Sequence, residues 1–267
     1  EVKGSKRWID LGFLPRFQPI EIIKPFFIII TSSLLCLNNN NLYFKYLLSG
    51  FLLLPILLLL ISQPDLGQTL LISMVWLTLI FVSGINVYLF FVFFLLVALI
   101  ASYLIFFVSK FEYIKDRFLS FINATDVGNY QAEKASDAII GGGFFGKGIG
   151  EGTLNSKIPE AHTDYIVSVV SEEFGAIIVL IIILLYLIFA YKIIQKINLI
   201  NKEKAKLILI GSVSLILLQT FVHIGVNIRL LPTTGMTLPY LSYGGSSIIS
   251  TAIISGIILN LTKRKIN

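Results

Sequence analysis

Asp164 stands where a long polar loop enters an apolar run, in the stretch IPEAHTDYIVSVVSEEFG at 158–175. Glu160 lies one helical turn before it. Ser168, Glu172 and Gly175 follow at spacings of four, four and three, so a helix puts them on the face that Asp164 heads. From Ala176 to Ala190 the sequence carries no charge. Carboxylates at the mouth of a membrane helix are costly against lipid, so this face must look at water or at a protein cavity. A carboxylate placed there can take the proton of a hydroxyl as a new bond forms. It can also cap the helix, accepting its free N–H groups, but a cap leaves Glu172 and Glu173, about two turns deeper, unexplained.

Other residues of chemical interest fall into four groups. In GSKRWIDLGFLPRFQPIEIIK at 4–24, Lys6, Arg7 and Arg16 flank Trp8 and Phe17, a mixture suited to an interface with anionic headgroups. Pro19 can open a helix, on which Glu21 and Lys24 lie three apart inside the membrane, as a local ion pair or as partners of Glu172 and Glu173. In QPDLGQT at 63–69, Asp65 and Gln68 fit a capping box, and Gln63 is a candidate ligand contact. In the loop, Asp126-Val-Gly-Asn-Tyr130 reads as a turn into a short helix at 129–140. GGGFFGKGIGEG at 141–152 follows. It lacks the Ser or Thr of a Walker loop after Lys147. Its glycines would admit a phosphate to the backbone N–H groups, with Lys147 adding charge, or form a flexible re-entrant hairpin. In NIRLLPTTGMTLPYLSYGGSS at 227–247, prolines and glycines break an apolar region, which is tolerated at membrane depth where the backbone lines a cavity or packs in protein. Arg229 there needs a partner or an anionic ligand. His223 reads as a packed polar residue, and no His/Cys cluster has metal-ligand spacing.

The elements that position these residues are membrane helices. The chain is 56% hydrophobic and 13% charged, which excludes a soluble domain and makes nucleic-acid binding a poor reading of its net positive charge. Cys36 has no partner for an internal disulfide. Seven apolar runs, at about 18–36, 46–62, 67–84, 86–108, 165–190, 206–227 and 240–261, predict an all-α polytopic bundle in a single membrane domain. Residues 191–206 hold five lysines against one Glu, and the tail holds Lys263, Arg264 and Lys265. The positive-inside rule puts both in the cytoplasm. The loop 109–163 is then extracytoplasmic and the first residues lie outside, so an odd number of spans is expected upstream.

Together these segments resemble the SEDS family (shape, elongation, division, sporulation) of bacterial wall polymerases typified by RodA and FtsW. The carriers are GSKRWIDLG with FQPIEIIK, QPDLGQT, DRFLSFIN through YQAEKASDAIIGGGFFGKGIG, IPEAHTDYIVSVVSEEFG and NIRLLPTTGMTLPYLSYGGSS. EAHTD and LLPTTGMTLPYLSYGG look closer to the septal FtsW branch; Ile20 stands where FQPSE has Ser. The resemblance implies a ten-span fold of which the first three precede this chain. It also implies a multi-pass protein of the bacterial inner membrane that joins lipid II units by inverting β-1,4 transfer at the outer face and releases undecaprenyl pyrophosphate. Asp164 falls on the family's essential acid and would be the general base. Arg7, Trp8, Glu21, Lys24, Gln63, Asp65, Arg117, Lys147, Glu160, His162, Thr163, Arg229, Ser242, Tyr243 and Gly244 are the candidates for substrate contact. A class B penicillin-binding transpeptidase and other divisome proteins are the expected partners. No resident cofactor or metal ligand set is expected, and a divalent cation at the pyrophosphate is the one candidate. A lipid II flippase, a proton-coupled transporter using Glu21, Lys24, Glu172 and Glu173, and a scaffold for the transpeptidase are the rival readings.

Overall fold

The structure is a computed structural model that describes residues 7–10, 12, 16–37, 42–108, 111–123, 127–158 and 160–263. Lys6, Asp126, Arg264 and Lys265 lie outside the described residues. Each of the seven apolar runs holds a long helix: α1 (Pro19–Leu35), α2 (Leu42–Ser62), α3 (Leu66–Val82), α4 (Val87–Phe107), α9 (Ala176–Ile197), α10 (Glu203–Asn227) and α11 (Gly245–Thr262). Between α4 and α9 come α5 (Glu112–Asn123), α6 (Val127–Gly142), α7 (Leu154–Lys157) and α8 (Ile166–Phe174). Among the described residues, Tyr43–Ser62, Ala176–Ile197, Glu203–Asn227 and Gly245–Thr262 are each long and apolar enough to cross a bilayer. This is a multi-pass membrane protein.

The chain forms two compact units. One comprises Glu1–Ser83, Leu184–Thr220 and Thr237–Asn267; the other comprises Gly84–Ile183 and Phe221–Met236. In the first, α1 packs against α2, α3 and α11. Pro19 opens α1 at its first turn, where a missing N–H costs nothing. Ile28, Leu71, Leu79 and Leu209 are buried, and Gly211 lets Ile28 approach so closely that a Cβ would meet its Cγ2 at 2.8 Å. In the second unit α6 packs on α8, and α7 touches both.

Two expected helices are corrected. The run 165–190 is not one span. It breaks at Gly175, whose φ of 86° ends α8, and the span proper starts at Ala176. The last span starts at Gly245, five residues later than expected, because Pro239 and the Tyr240–Gly244 turn precede it.

Candidate active site

In the second unit, Asp164 lies in a turn before α8 rather than on it. The Glu160 carbonyl gathers that turn, accepting the N–H of Thr163 (3.2 Å) and of Asp164 (3.0 Å) and the Thr163 hydroxyl (3.1 Å). The turn is then pinned by Asn227, the last residue of α10, which is wholly buried. The Asn227 amide donates to the Asp164 carbonyl (3.1 Å) and to the His223 carbonyl (2.8 Å). Its Oδ1 accepts from the Ser168 N–H (3.1 Å) and hydroxyl (2.7 Å). Every polar atom of this amide is thereby committed to holding the Asp164 turn against α8 and α10.

The Asp164 carboxylate is half-buried and faces the backbone after α10. Its Oδ2 lies 3.5 Å from the position a Cβ would take on Gly235, whose φ is +67°. Two residues before Gly235, the Thr233 carbonyl accepts from Arg117 on α5 at 3.5 Å. Arg229, two residues past Asn227, is exposed and held at φ 58°, a rare conformation for a non-glycine residue. The stretch 227–235 thus carries Arg229 near its start and meets the Arg117 guanidinium at Thr233 and the Asp164 carboxylate at Gly235. Tyr165, next in sequence to Asp164, is buried; burial first, then the charges of Asp164 and Glu160, push its hydroxyl well above the usual tyrosine range. It is therefore a neutral phenol. His162 is exposed beside the turn. His223 is buried, with Nδ1 2.7 Å from the Met236 carbonyl, in agreement with a packed polar residue.

The deeper acids are occupied elsewhere. Glu172 is 2% exposed. Its carboxylate takes the Lys147 ammonium (2.8 Å), the Thr153 hydroxyl (3.2 Å) and the Leu154 N–H (3.0 Å). Burial raises its pKa, but these three partners outweigh burial and hold the carboxyl below its ordinary value. The same residues line a cavity of about 120 Å³ with Lys134, Asp137, Ala138 and Lys157; Asp164 is not part of its wall. In the glycine-rich segment three successive N–H groups are spent internally: Gly146 on Gly142, Lys147 on Glu172 and Gly148 on Glu173.

In the first unit, Glu21 and Lys24 pair with each other at 2.6 Å, both almost fully buried. This is the local ion pair, not the expected contact with Glu172 or Glu173. Gln68 donates to the same Glu21 oxygen (2.7 Å), and Lys24 also reaches the Gln219 carbonyl oxygen (3.3 Å). Asp65 is a helix cap, accepting the Gln68 N–H at 3.3 Å. The reciprocal half of the capping box is absent, because the Gln68 side chain turns to Glu21. Asp65 also takes Gln18 (3.2 Å) and lies 3.6 Å from Arg7, while Arg7 donates to the carbonyls of Gln63 and Pro64. Ser242 is buried and accepts the Leu238 N–H (2.7 Å). Gly244 caps α11, while Trp8 and Tyr243 are exposed.

The structure therefore brings Asp164, Glu160, Thr163, Arg117 and Arg229 into one unit. It gives Glu21, Lys24, Asp65, Ser242 and Lys147 internal partners. Asn227 is the residue that the sequence reading missed. An amide closing an apolar helix must be bonded if buried, and that is the signal that could have found it.

A family model described as FTSW_RODA_SPOVE, cell cycle protein, matches residues 1–267. A Caulobacter vibrioides protein named probable peptidoglycan glycosyltransferase FtsW is 31% identical over 269 residues, covering 98% of this chain and 67% of that one. A Geobacter sulfurreducens protein of the same name is 34% identical over 274 residues, covering 98% and 71%. A solved structure described as showing structural coordination of polymerization and crosslinking by a peptidoglycan synthase complex superposes with a TM-score of 0.80 at 26% identity, over 98% of this chain and 74% of that chain. The crystal structure of the Thermus thermophilus rod shape determining protein RodA gives 0.66 at 26% identity, over 100% and 72%.

Proposed function

This chain belongs to the FtsW/RodA/SpoVE family of cell cycle proteins, and from that membership and the geometry around Asp164 we propose that it is a peptidoglycan glycosyltransferase polymerising lipid II. The observation that carries the mechanism is the Asp164 turn, fixed from behind by buried Asn227 with its carboxylate beside Gly235.

Asp164 acts as general base. The 4-hydroxyl of the acceptor sugar gives its proton to the carboxylate as its oxygen attacks the anomeric carbon of the donor. The bond from that carbon to the pyrophosphate breaks, undecaprenyl pyrophosphate leaves with the electron pair, and the carboxylic acid returns its proton to water. A single base with no covalent intermediate inverts the anomeric centre, an analogy with inverting glycosidases. The leaving group carries its own charge and needs cations rather than a general acid. Arg117 and Arg229 are the arginines of the unit that holds Asp164 and are the candidates to supply them, while Lys147 of that unit is paired with Glu172. Among the described residues no group of three His, Cys, Asp or Glu side chains could hold a metal ion. A divalent cation at the pyrophosphate would be held by substrate oxygens.

Position supports the same reading. Lys192, Lys196, Lys202 and Lys204, around the α9–α10 connection, are exposed. With that connection in the cytoplasm, the loop before α9 and Asp164 face the exterior of the inner membrane, where a lipid-anchored disaccharide presents its reacting sugar. The named relatives support a septal role. The likeness to a peptidoglycan synthase complex supports a penicillin-binding transpeptidase as partner, with other division proteins recruited around it.

Asp164→Asn keeps the shape and cannot accept the proton. Glycan polymerisation from purified lipid II should fall by about 10² or more with the melting temperature unchanged. Parental rates from a folded Asp164→Asn protein would remove the base from this account. Lipid translocation in vesicles without polymerisation would establish the flippase in its place.

A further inference from the structure

α9 does not begin in water. Its first two N–H groups donate to the glycine-rich loop, Ala176 to the Gly143 carbonyl (2.9 Å) and Ile177 to the Phe144 carbonyl (3.4 Å). On the other side the loop is held by the N–H groups of Lys147 and Gly148 on the carbonyls of Glu172 (2.8 Å) and Glu173 (3.1 Å). The backbones are in such close contact that a Cβ on Gly142 would sit 2.0 Å from the Ser171 oxygen. On Gly146 it would sit 2.2 Å from that of Glu173, and on Gly175 2.2 Å from that of Phe144. Only glycine permits this packing, and it leaves the loop little freedom to turn its side chains inward.

Yet the segment presents Ile140, Phe144, Phe145 and Ile149 at 75%, 74%, 85% and 79% exposure. Four large apolar side chains on a rigid backbone call for an apolar neighbour. The two bonds to α9 say which one. They set Phe144 level with the first residues of a membrane span, and that span itself exposes Ile177, Ile178, Leu180 and Ile181. Aromatic rings favour that depth, where acyl chains meet headgroups. Lys147, between the aromatic residues and Ile149, has its ammonium drawn to Glu172 at 2.8 Å, so the tip brings no unpaired charge to the lipid.

We propose that residues 140–149 form an interfacial wedge that inserts Phe144, Phe145 and Ile149 into the lipid leaflet at the N-terminal end of α9. The occupant of this surface is bilayer lipid. The wedge requires only that α9 crosses a membrane. A consequence rests on the catalytic reading: α8, with 9 residues, spans about 14 Å, so the wedge sets the height of Asp164 relative to the lipid surface.

The test places a nitroxide label at Phe144→Cys, Phe145→Cys and Ile149→Cys in turn. The background is the intact protein carrying Cys36→Ser, reconstituted into vesicles of phosphatidylethanolamine and phosphatidylglycerol. Collisions with oxygen and with a water-soluble nickel chelate are measured, and exposed Glu151→Cys serves as the aqueous reference. The oxygen-to-nickel ratio should be several-fold higher at all three wedge positions than at Glu151→Cys. Equal ratios place the loop in water and overturn the proposal. Loss of access to both reagents shows a protein cover, a second copy or a partner, and overturns it too. Phe145→Trp in a background carrying Trp8→Phe and Trp76→Phe gives a label-free check, since its fluorescence should be quenched by acyl-brominated phosphatidylcholine; no quenching counts against the wedge. None of these measurements reads activity, so they fail or succeed independently of Asp164.

Discussion

Replacing Asn227 by alanine is the sharpest probe of the site, because one buried amide holds the turn that carries the proposed base. Asn227→Ala strips four groups of a partner: the carbonyls of Asp164 and His223, and the N–H and hydroxyl of Ser168. The Ser168 N–H still has the Tyr165 carbonyl at 3.0 Å. The Ser168 hydroxyl, wholly buried, loses its acceptor at 2.7 Å, and the Asp164 carbonyl loses its donor at 3.1 Å. An orphaned buried polar group costs about 1–3 kcal/mol. The hydroxyl should bear that in full, and the partly buried carbonyl less, giving a loss of about 2–4 kcal/mol. Activity should suffer separately. A turn freed to shift by about 1 Å can cost up to about 10² in rate, so kcat should fall by about 10- to 100-fold with KM near parental. The assay is polymerisation of lipid II by the purified protein, run well below the variant's melting temperature so that unfolding does not masquerade as lost chemistry. Ser168→Ala on top of Asn227→Ala removes the orphaned hydroxyl, and the double variant should be more stable than the sum of the singles predicts, by about 1 kcal/mol. An Asn227→Ala protein with parental melting and parental kcat would refute the claim that this amide positions Asp164.

Lys24→Ala should leave the almost fully buried Glu21 without its cation and destabilise the protein by about 3–5 kcal/mol in detergent melts. The paired change Glu21→Gln with Lys24→Met should recover most of that loss. Gly175→Ala must fit a methyl group at φ +86° and 2.2 Å from the Phe144 oxygen. It should cost well over ~1 kcal/mol and speed proteolytic cutting of the 141–152 loop. Glu172 has a folded pKa below its ordinary 4.5, so its ion pair stabilises the fold above that value. That contribution is lost as the pH falls through the lower folded value. Melting temperatures between about pH 3 and 7 should thus drop on the acid side in the parent, and Glu172→Gln should lie lower at neutral pH with a shallower acid limb.

The seven long helices were legible because lipid imposes a simple rule, an apolar run of nearly constant length, and because Pro19 and Asp65 mark starts by local chemistry. The place of Asp164 at a loop-to-helix junction was legible for a related reason: it is the first of three acids, with Glu172 and Glu173, that precede a charge-free run. What failed was inference from spacing where a distant backbone decides. IVSVVSEEFGAIIVL reads as one helix, since an isolated glycine is tolerated within such a pattern. Nothing in those residues reveals that the 143–146 backbone, some thirty positions upstream, takes the place that the next helical turn would need. Of the two readings of Glu21 and Lys24 the local pair holds, and Glu172 is instead neutralised by Lys147, which rides in on that loop. A carboxylate spacing therefore fixes which face the acids share only while the helix continues. Here it ends one residue after Glu173, so the glycines that end it, more than the acids themselves, separate Glu172, paired with Lys147, from Asp164 in the turn before α8.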